Sequence, residues 1–156
     1  MFEAARDGNA EVLKMLLAGN ADPNVARVDD GATPVYIATR NGHANAVEAL
    51  LMHSANPNQA TTDKYGEPPL FIAARDNHVG IVTLLLEHGA DPNQGRADDG
   101  AAAMYIAAMK GHTDVAKVLL ENNANPEQRT TDGKWTPLTI TRHAAIVDLI
   151  KQHVPI

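Results

Sequence analysis

The sequence predicts an all-α solenoid, a row of stacked helix–turn–helix units, on three observations. A motif returns about every 34 residues along most of the chain. Each return carries apolar residues at helical spacing. Segments rich in Asp, Asn, Pro and Gly separate the returns. An internal period of this size is the signature of a repeat architecture, and it outranks local propensity when the fold is assigned.

The period has two independent anchors. His43, His78, His112 and His143 each precede an apolar run, at steps of 35, 34 and 31 residues. The loop spelling Ala21-Asp22-Pro23-Asn24 returns as Ala55-Asn56-Pro57-Asn58, Ala90-Asp91-Pro92-Asn93 and Ala124-Asn125-Pro126-Glu127, with its Pro at steps of 34, 35 and 34. The units read approximately as 1–28, 29–62, 63–97, 98–131 and 132–156, within a single domain.

Each unit is built the same way. A Pro opens the first helix at Thr33-Pro34, Pro68-Pro69 and Thr136-Pro137; Pro suits a first helical turn, where its missing N–H would have no partner in any case. Gly42 and Gly111 end that helix as left-handed caps. A second helix follows, with apolar residues at i, i+1, i+4 and i+5: Val12, Leu13, Leu16 and Leu17; Ala46, Val47, Leu50 and Leu51; Ile81, Val82, Leu85 and Leu86; Val115, Ala116, Leu119 and Leu120; then Ile146, Val147 and Ile150. That spacing makes one stripe. A lone unit cannot bury it, so the units must stack. The polar segments between units read as turns or hairpins.

Composition narrows the function. The 156 residues are 44% hydrophobic and 21% charged, ordinary values for a globular domain with a core. No apolar run approaches the roughly 18 residues of a membrane span. The opening stretch MFEAARDGNAEV has no basic segment followed by an apolar one, so no secretory signal is expected from it. The absence of Cys excludes disulfides and thiolate metal sites and fits a reducing, intracellular, cytoplasmic setting. A net charge of −6 disfavours non-specific nucleic-acid binding.

Catalytic groups are hard to assemble. There is one Ser, Ser54, and no GxSxG, glycine-rich phosphate loop or HExxH. The Asp29-Asp30-Gly31 and Asp98-Asp99-Gly100 segments lack the later ligands of a calcium loop and read as turns. Equivalent His residues on stacked helices lie roughly 8–10 Å apart, too far to share one metal ion. They are expected to hydrogen-bond backbone near the start of the second helix. No enzyme activity, cofactor or metal is expected.

The spellings TPVYIAT (33–39), PPLFIAA (68–74), AAMYIAA (102–108) and TPLTIT (136–141), the Gly-His pairs, and GADPN at 89–93 together resemble the ankyrin repeat family across essentially the whole chain. The resemblance implies an ankyrin-repeat solenoid of helix–turn–helix units with β-hairpin-like fingers, whose first helices and fingers form a concave groove that binds a protein or peptide.

Departures from the family pattern carry their own expectations. Ala102-Ala103 replaces Thr-Pro, predicting a weakened helix start in the fourth unit. Three residues are missing between Ile140 and His143, predicting a short or distorted first helix in the fifth. Lys151 stands in the slot of Leu17, Leu51, Leu86 and Leu120, as a polar cap would, placing Ile156 near the end of the array. The chain starts inside a unit, at Phe2-Glu3-Ala4-Ala5.

Recognition residues are expected on the first helices and fingers. Phe2 with Arg6, Tyr36 with Arg40, and Phe71 with Arg75 are four apart on one face, the geometry for Arg over an aromatic ring. The resemblance turns the two residues before each Gly-His into the groove: Arg6-Asp7, Arg40-Asn41, Arg75-Asp76 and Met109-Lys110. With Tyr65 and Trp135 on the fingers, the partner-binding set is Arg6, Arg40, Asn41, Tyr65, Arg75, Asp76, Met109, Lys110 and Trp135. A basic floor and acidic finger tips are expected. The leading reading is a monomeric, non-catalytic adaptor. The alternative is a targeting segment of a larger enzyme or of a bacterial effector acting in a host cell. Nucleic-acid binding draws only on the arginine stripe.

Overall fold

The computed structural model describes residues 1–153, so the expectation placed on Ile156 lies outside the described residues. Ten helices form five consecutive pairs: α1 (Phe2–Arg6) with α2 (Ala10–Ala18), α3 (Pro34–Arg40) with α4 (Ala44–Met52), α5 (Pro69–Arg75) with α6 (Val79–Glu87), α7 (Ala103–Lys110) with α8 (Thr113–Glu121), and α9 (Pro137–Ile140) with α10 (Ala144–His153). First helices pack on first helices and second on second, so the stack has two layers.

The local chemistry explains the starts and stops. The Thr33 hydroxyl accepts from the Tyr36 N–H at 3.3 Å, and Pro34 sits in the first turn of α3. Thr136 and Thr139 form a reciprocal capping box on α9. Ala102 offers no side-chain cap, yet α7 runs eight residues and is the longest first helix. The expected weakening is absent because Ala103, Met104, Ile106, Ala107 and Ala108 are all buried, and packing outweighs a lost cap. By contrast, α9 is one four-residue turn and leaves through an extended Thr141, as the three-residue deletion requires.

The core lies between the layers. Leu13, Leu50, Ile72, Leu85, Met104, Leu119, Ile146 and Ile150 are fully buried. Burying one such side chain stabilises by roughly 1.5–3 kcal/mol.

Neighbouring units are also clipped by polar contacts. The His43 Nε2–H donates to the Arg6 carbonyl at 2.9 Å, and that of His112 to the Arg75 carbonyl at 3.2 Å. These rings therefore bond backward to the preceding unit, rather than within their own. Glycine stands behind the rings of His43 and His143, whereas Asn77, also at positive φ, holds the equivalent place in the third unit. A Cβ on Gly8 or Gly111 would lie 2.6 or 2.5 Å from the ring of His43 or His143, and both residues have positive φ. At the opposite corner the Pro-Asn turns form a ladder. Asn24, Asn58 and Asn93 each accept a backbone N–H from the next unit (Asn56, Asp91 and Asn125) at 2.6–2.7 Å. Each also donates its amide to a carbonyl there, of Ser54, Gly89 or Asn123.

Candidate protein-binding groove

The fingers are hairpin-like at their base. A backbone bond joins the two sides of each: Arg27 N–H to Ala32 O, Thr61 to Glu67, Arg96 to Ala101 and Thr130 to Trp135, at 3.0–3.2 Å, and in three of them Gly31, Gly100 or Gly133 also donates back to Arg27, Arg96 or Thr130 at 2.8–3.0 Å. One more links each finger to the next, from Thr62 to Asp30, Ala97 to Tyr65 and Thr131 to Asp99, at 2.8–3.0 Å. Single rungs make no strand among the described residues. The linked fingers still form a continuous wall beside the first helices.

Along the floor, three units put Arg at the end of the first helix, in three different settings. Arg6 bonds Asp7 at 2.8 and 3.3 Å. Arg75 bonds Asp76 at 2.9 and 3.0 Å, which holds the Asp76 carboxyl below the usual range. Its Nη1 also lies 3.4 Å from Glu67 Oε1. Arg40 is followed by Asn41, whose amide donates to the Ile37 carbonyl at 2.8 Å. Among the described residues Arg40 therefore has no carboxylate partner, although both equivalent arginines do.

The aromatic residues do not lie under these arginines. Tyr36 and Phe71 are buried, and Tyr105 is half-buried. The Tyr36 hydroxyl donates to Glu67 Oε2 at 3.2 Å. Burial first, and then the Glu67 charge, push its phenol well above the ordinary range. The cation over Phe71 is Arg96, from the following finger, with Cζ 5.0 Å from the ring centre. Arg96 also lies 5.8 Å from Tyr65, whose ring carries Lys64 Nζ at 4.7 Å. The expected pairs four apart on the helix are thus replaced. Tyr36 and Phe71 turn into the stack, and the Arg6 and Arg75 guanidinia reach the carboxylates at their own helix ends.

The acidic tips are neutralised from within. Arg27 pairs with Asp29 and Asp30. Arg96 pairs with Asp98 at 3.0 Å and Asp99 at 2.8 Å and approaches Glu67 Oε1 at 3.6 Å. Burial pushes the Asp99 carboxyl up, but bonds from Arg96 and the Ala101 N–H outweigh it and hold it low. The other two fingers are built differently. Thr61 and Thr130 donate their hydroxyls to Asp63 and Asp132 at 2.9 and 2.7 Å. The fingers therefore alternate, Arg-type and Thr-type, with a period of two units. Arg27 and Arg96 are the residues the sequence reading did not single out. The signal for them is the recurrence of Arg-x-Asp-Asp-Gly-Ala at 27–32 and 96–101.

Two hollows mark the ends of this surface. One, of about 350 Å³, is lined by Phe2, Glu3, Arg6, Arg27, Ile37, Arg40 and Asn41. The other, of about 420 Å³, is lined by Met109, Trp135, Thr139, Ile140, Arg142 and His143 and lies beside the shortened α9. Trp135 is 44% exposed, and its other side lines a third hollow with Asp98, Asp99, Tyr105 and Asp132.

Helix pairs joined by linked fingers, with backward-bonding histidines, agree with the comparisons. The ankyrin repeats family, in three copies, matches residues 1–96, and a further ankyrin repeat matches 99–131. The chain belongs to the ankyrin repeat family. A search of curated proteins found no match. Ankyrin repeats are in general protein–protein interaction modules and typically lack catalysis. Among the described residues no helix is long and apolar enough to cross a membrane.

On this ankyrin surface the expected binding residues fall into three groups. Arg6, Arg40 and Asn41 meet in the first hollow. Met109 and Trp135 meet in the second. Between them, Arg75 and Asp76 hold each other, Lys110 is exposed near Asp76, and Tyr65 stands on its finger under Lys64.

Proposed function

We propose that this ankyrin array is a non-catalytic binding module that holds one segment of a protein partner along the groove, working as a monomer without a cofactor. The observation that carries the reading is the exposed pair Met109 and Trp135 lining one hollow at one end of the groove. Large apolar side chains exposed together on a concave surface mark interaction sites, and Trp is prominent among interface hot spots. The contact set is Arg6, Arg40, Asn41, Tyr65, Met109, Lys110 and Trp135, with Arg75 and Asp76 as a self-paired stretch beneath the partner.

The chain has no Cys, so a single engineered one reports position cleanly. Met52 lies exposed at the end of a second helix, in the layer opposite the groove. Binders are first selected from a random-peptide phage library on the wild-type chain. A benzophenone is then attached through Met109→Cys or Met52→Cys. The groove reading predicts cross-links from position 109 and none from position 52. Cross-links confined to position 52 contradict it.

A further inference from the structure

We propose that the hollow between α1 and α3 is a carboxylate anchor that takes one Asp or Glu side chain of the bound segment, with an apolar neighbour against Phe2 and Ile37. The proposal rests on the groove reading and gives it a chemistry and a direction. Three arginines line this hollow, but two are already neutralised: Arg6 by Asp7, and Arg27 by Asp29 and Asp30. Among the described residues only Arg40 of the three is without a carboxylate, because Asn41 replaces the Asp that follows the equivalent arginines. A guanidinium presents two parallel N–H donors that match a carboxylate. Ile37 and Phe2 shield one side of the hollow, where such a bond is stronger than in open water.

The charge count selects the ligand. One unpaired cation, with the Glu3 carboxylate also on the wall, suits a single negative charge rather than a doubly charged phosphate. The other hollow also holds a cation, Arg142, but its wall of Trp135, Met109 and Ile140 is what sets it apart and suits an aliphatic or aromatic side chain. First helices stack roughly 8–10 Å apart, so the anchors lie roughly 20–30 Å from each other. An extended chain covers that in about six to nine residues. The bound segment thus carries its acid at the first-unit end and its large apolar residue at the fifth-unit end.

The test uses the same random-peptide phage library on wild-type, Arg40→Gln, Arg40→Glu and Trp135→Ala chains, each first shown by thermal melting to be folded. Wild-type selection is expected to enrich peptides with one Asp or Glu about six to nine residues from a large apolar residue. Changing that acid to its amide is expected to weaken binding at least about tenfold, as loss of a charged hydrogen bond does. The Arg40→Gln chain is expected to lose the same factor for the acidic peptide and nothing for the amide peptide. Arg40→Glu is expected to select Lys or Arg at the acidic position. Trp135-dependent peptides that show no acidic preference, or that bind Arg40→Gln undiminished, overturn the anchor and leave the groove reading standing. Peptides whose binding ignores both Arg40 and Trp135 overturn both. Tighter binding of a phosphoserine peptide than of its Asp counterpart overturns the single-charge assignment.

Discussion

Tyr36 condenses the chemistry of single residues here. As read from spacing it belonged with Arg40 in a recognition pair. In the fold it is buried, and its hydroxyl spans to Glu67 in the next finger. Glu67 is the hub, since it takes the Tyr36 hydroxyl from the preceding unit and approaches Arg75 and Arg96 of its own. The folded chain keeps the Tyr36 proton where an unfolded chain, with an ordinary phenol near 10.0, releases it. Above that value the unfolded state binds fewer protons than the folded state. The contribution is complete below about pH 10, and stability falls as pH rises beyond it. Titration by ultraviolet absorbance should find the Tyr36 phenol ionising late, together with unfolding. Glu67→Gln, which removes a neighbouring negative charge, should move that ionisation to lower pH. An unmoved titration in Glu67→Gln would contradict the coupling.

At the scale of elements, the helix stripes and stops were legible because they depend on local spacing: Pro34 opens α3, Gly42 closes it, and α4 follows as read. The shortness of α9 was legible too, as a deletion between Ile140 and His143. The full length of α7 was not, because it depends on burial among neighbouring units rather than on Ala102. The fifth pair should be the least stable. Its first helix is a single turn, Leu138 is exposed, and Lys151 is exposed where other units bury or half-bury Leu. In a stack, stability is the sum of each unit and its contacts with neighbours. Hydrogen exchange should therefore release the amides of α10 well before those of α4 and α6. Equal protection across the three helices would show that the shortened α9 costs the fifth unit nothing.

The whole molecule separates stacking from binding. The backward-bonding His43 and His112, the asparagine ladder and the buried leucines hold units together, and none of them lines the groove hollows. The arginine stripe that looked like a basic floor is mostly spent on Asp7, Asp76 and Glu67. That outcome could not be read from charge order alone, because it depends on which carboxylates the fold brings within reach. The alternation of Arg-type and Thr-type fingers was in the sequence, at twice the repeat length, where an alignment of single units averages it away. What remains for a partner is Arg40, without a carboxylate among the described residues, at one end and the exposed Trp135 and Met109, beside Arg142, at the other. Trp135 is the only Trp in the chain, so its fluorescence reports on the groove alone. The most direct measurement is Trp135 emission and acrylamide quenching as a library-selected binder is added. A blue shift with reduced quenching, saturating at the binding stoichiometry, is the predicted result. Saturated binding that leaves both emission and quenching of Trp135 unchanged would contradict the claim that this groove is where the partner sits.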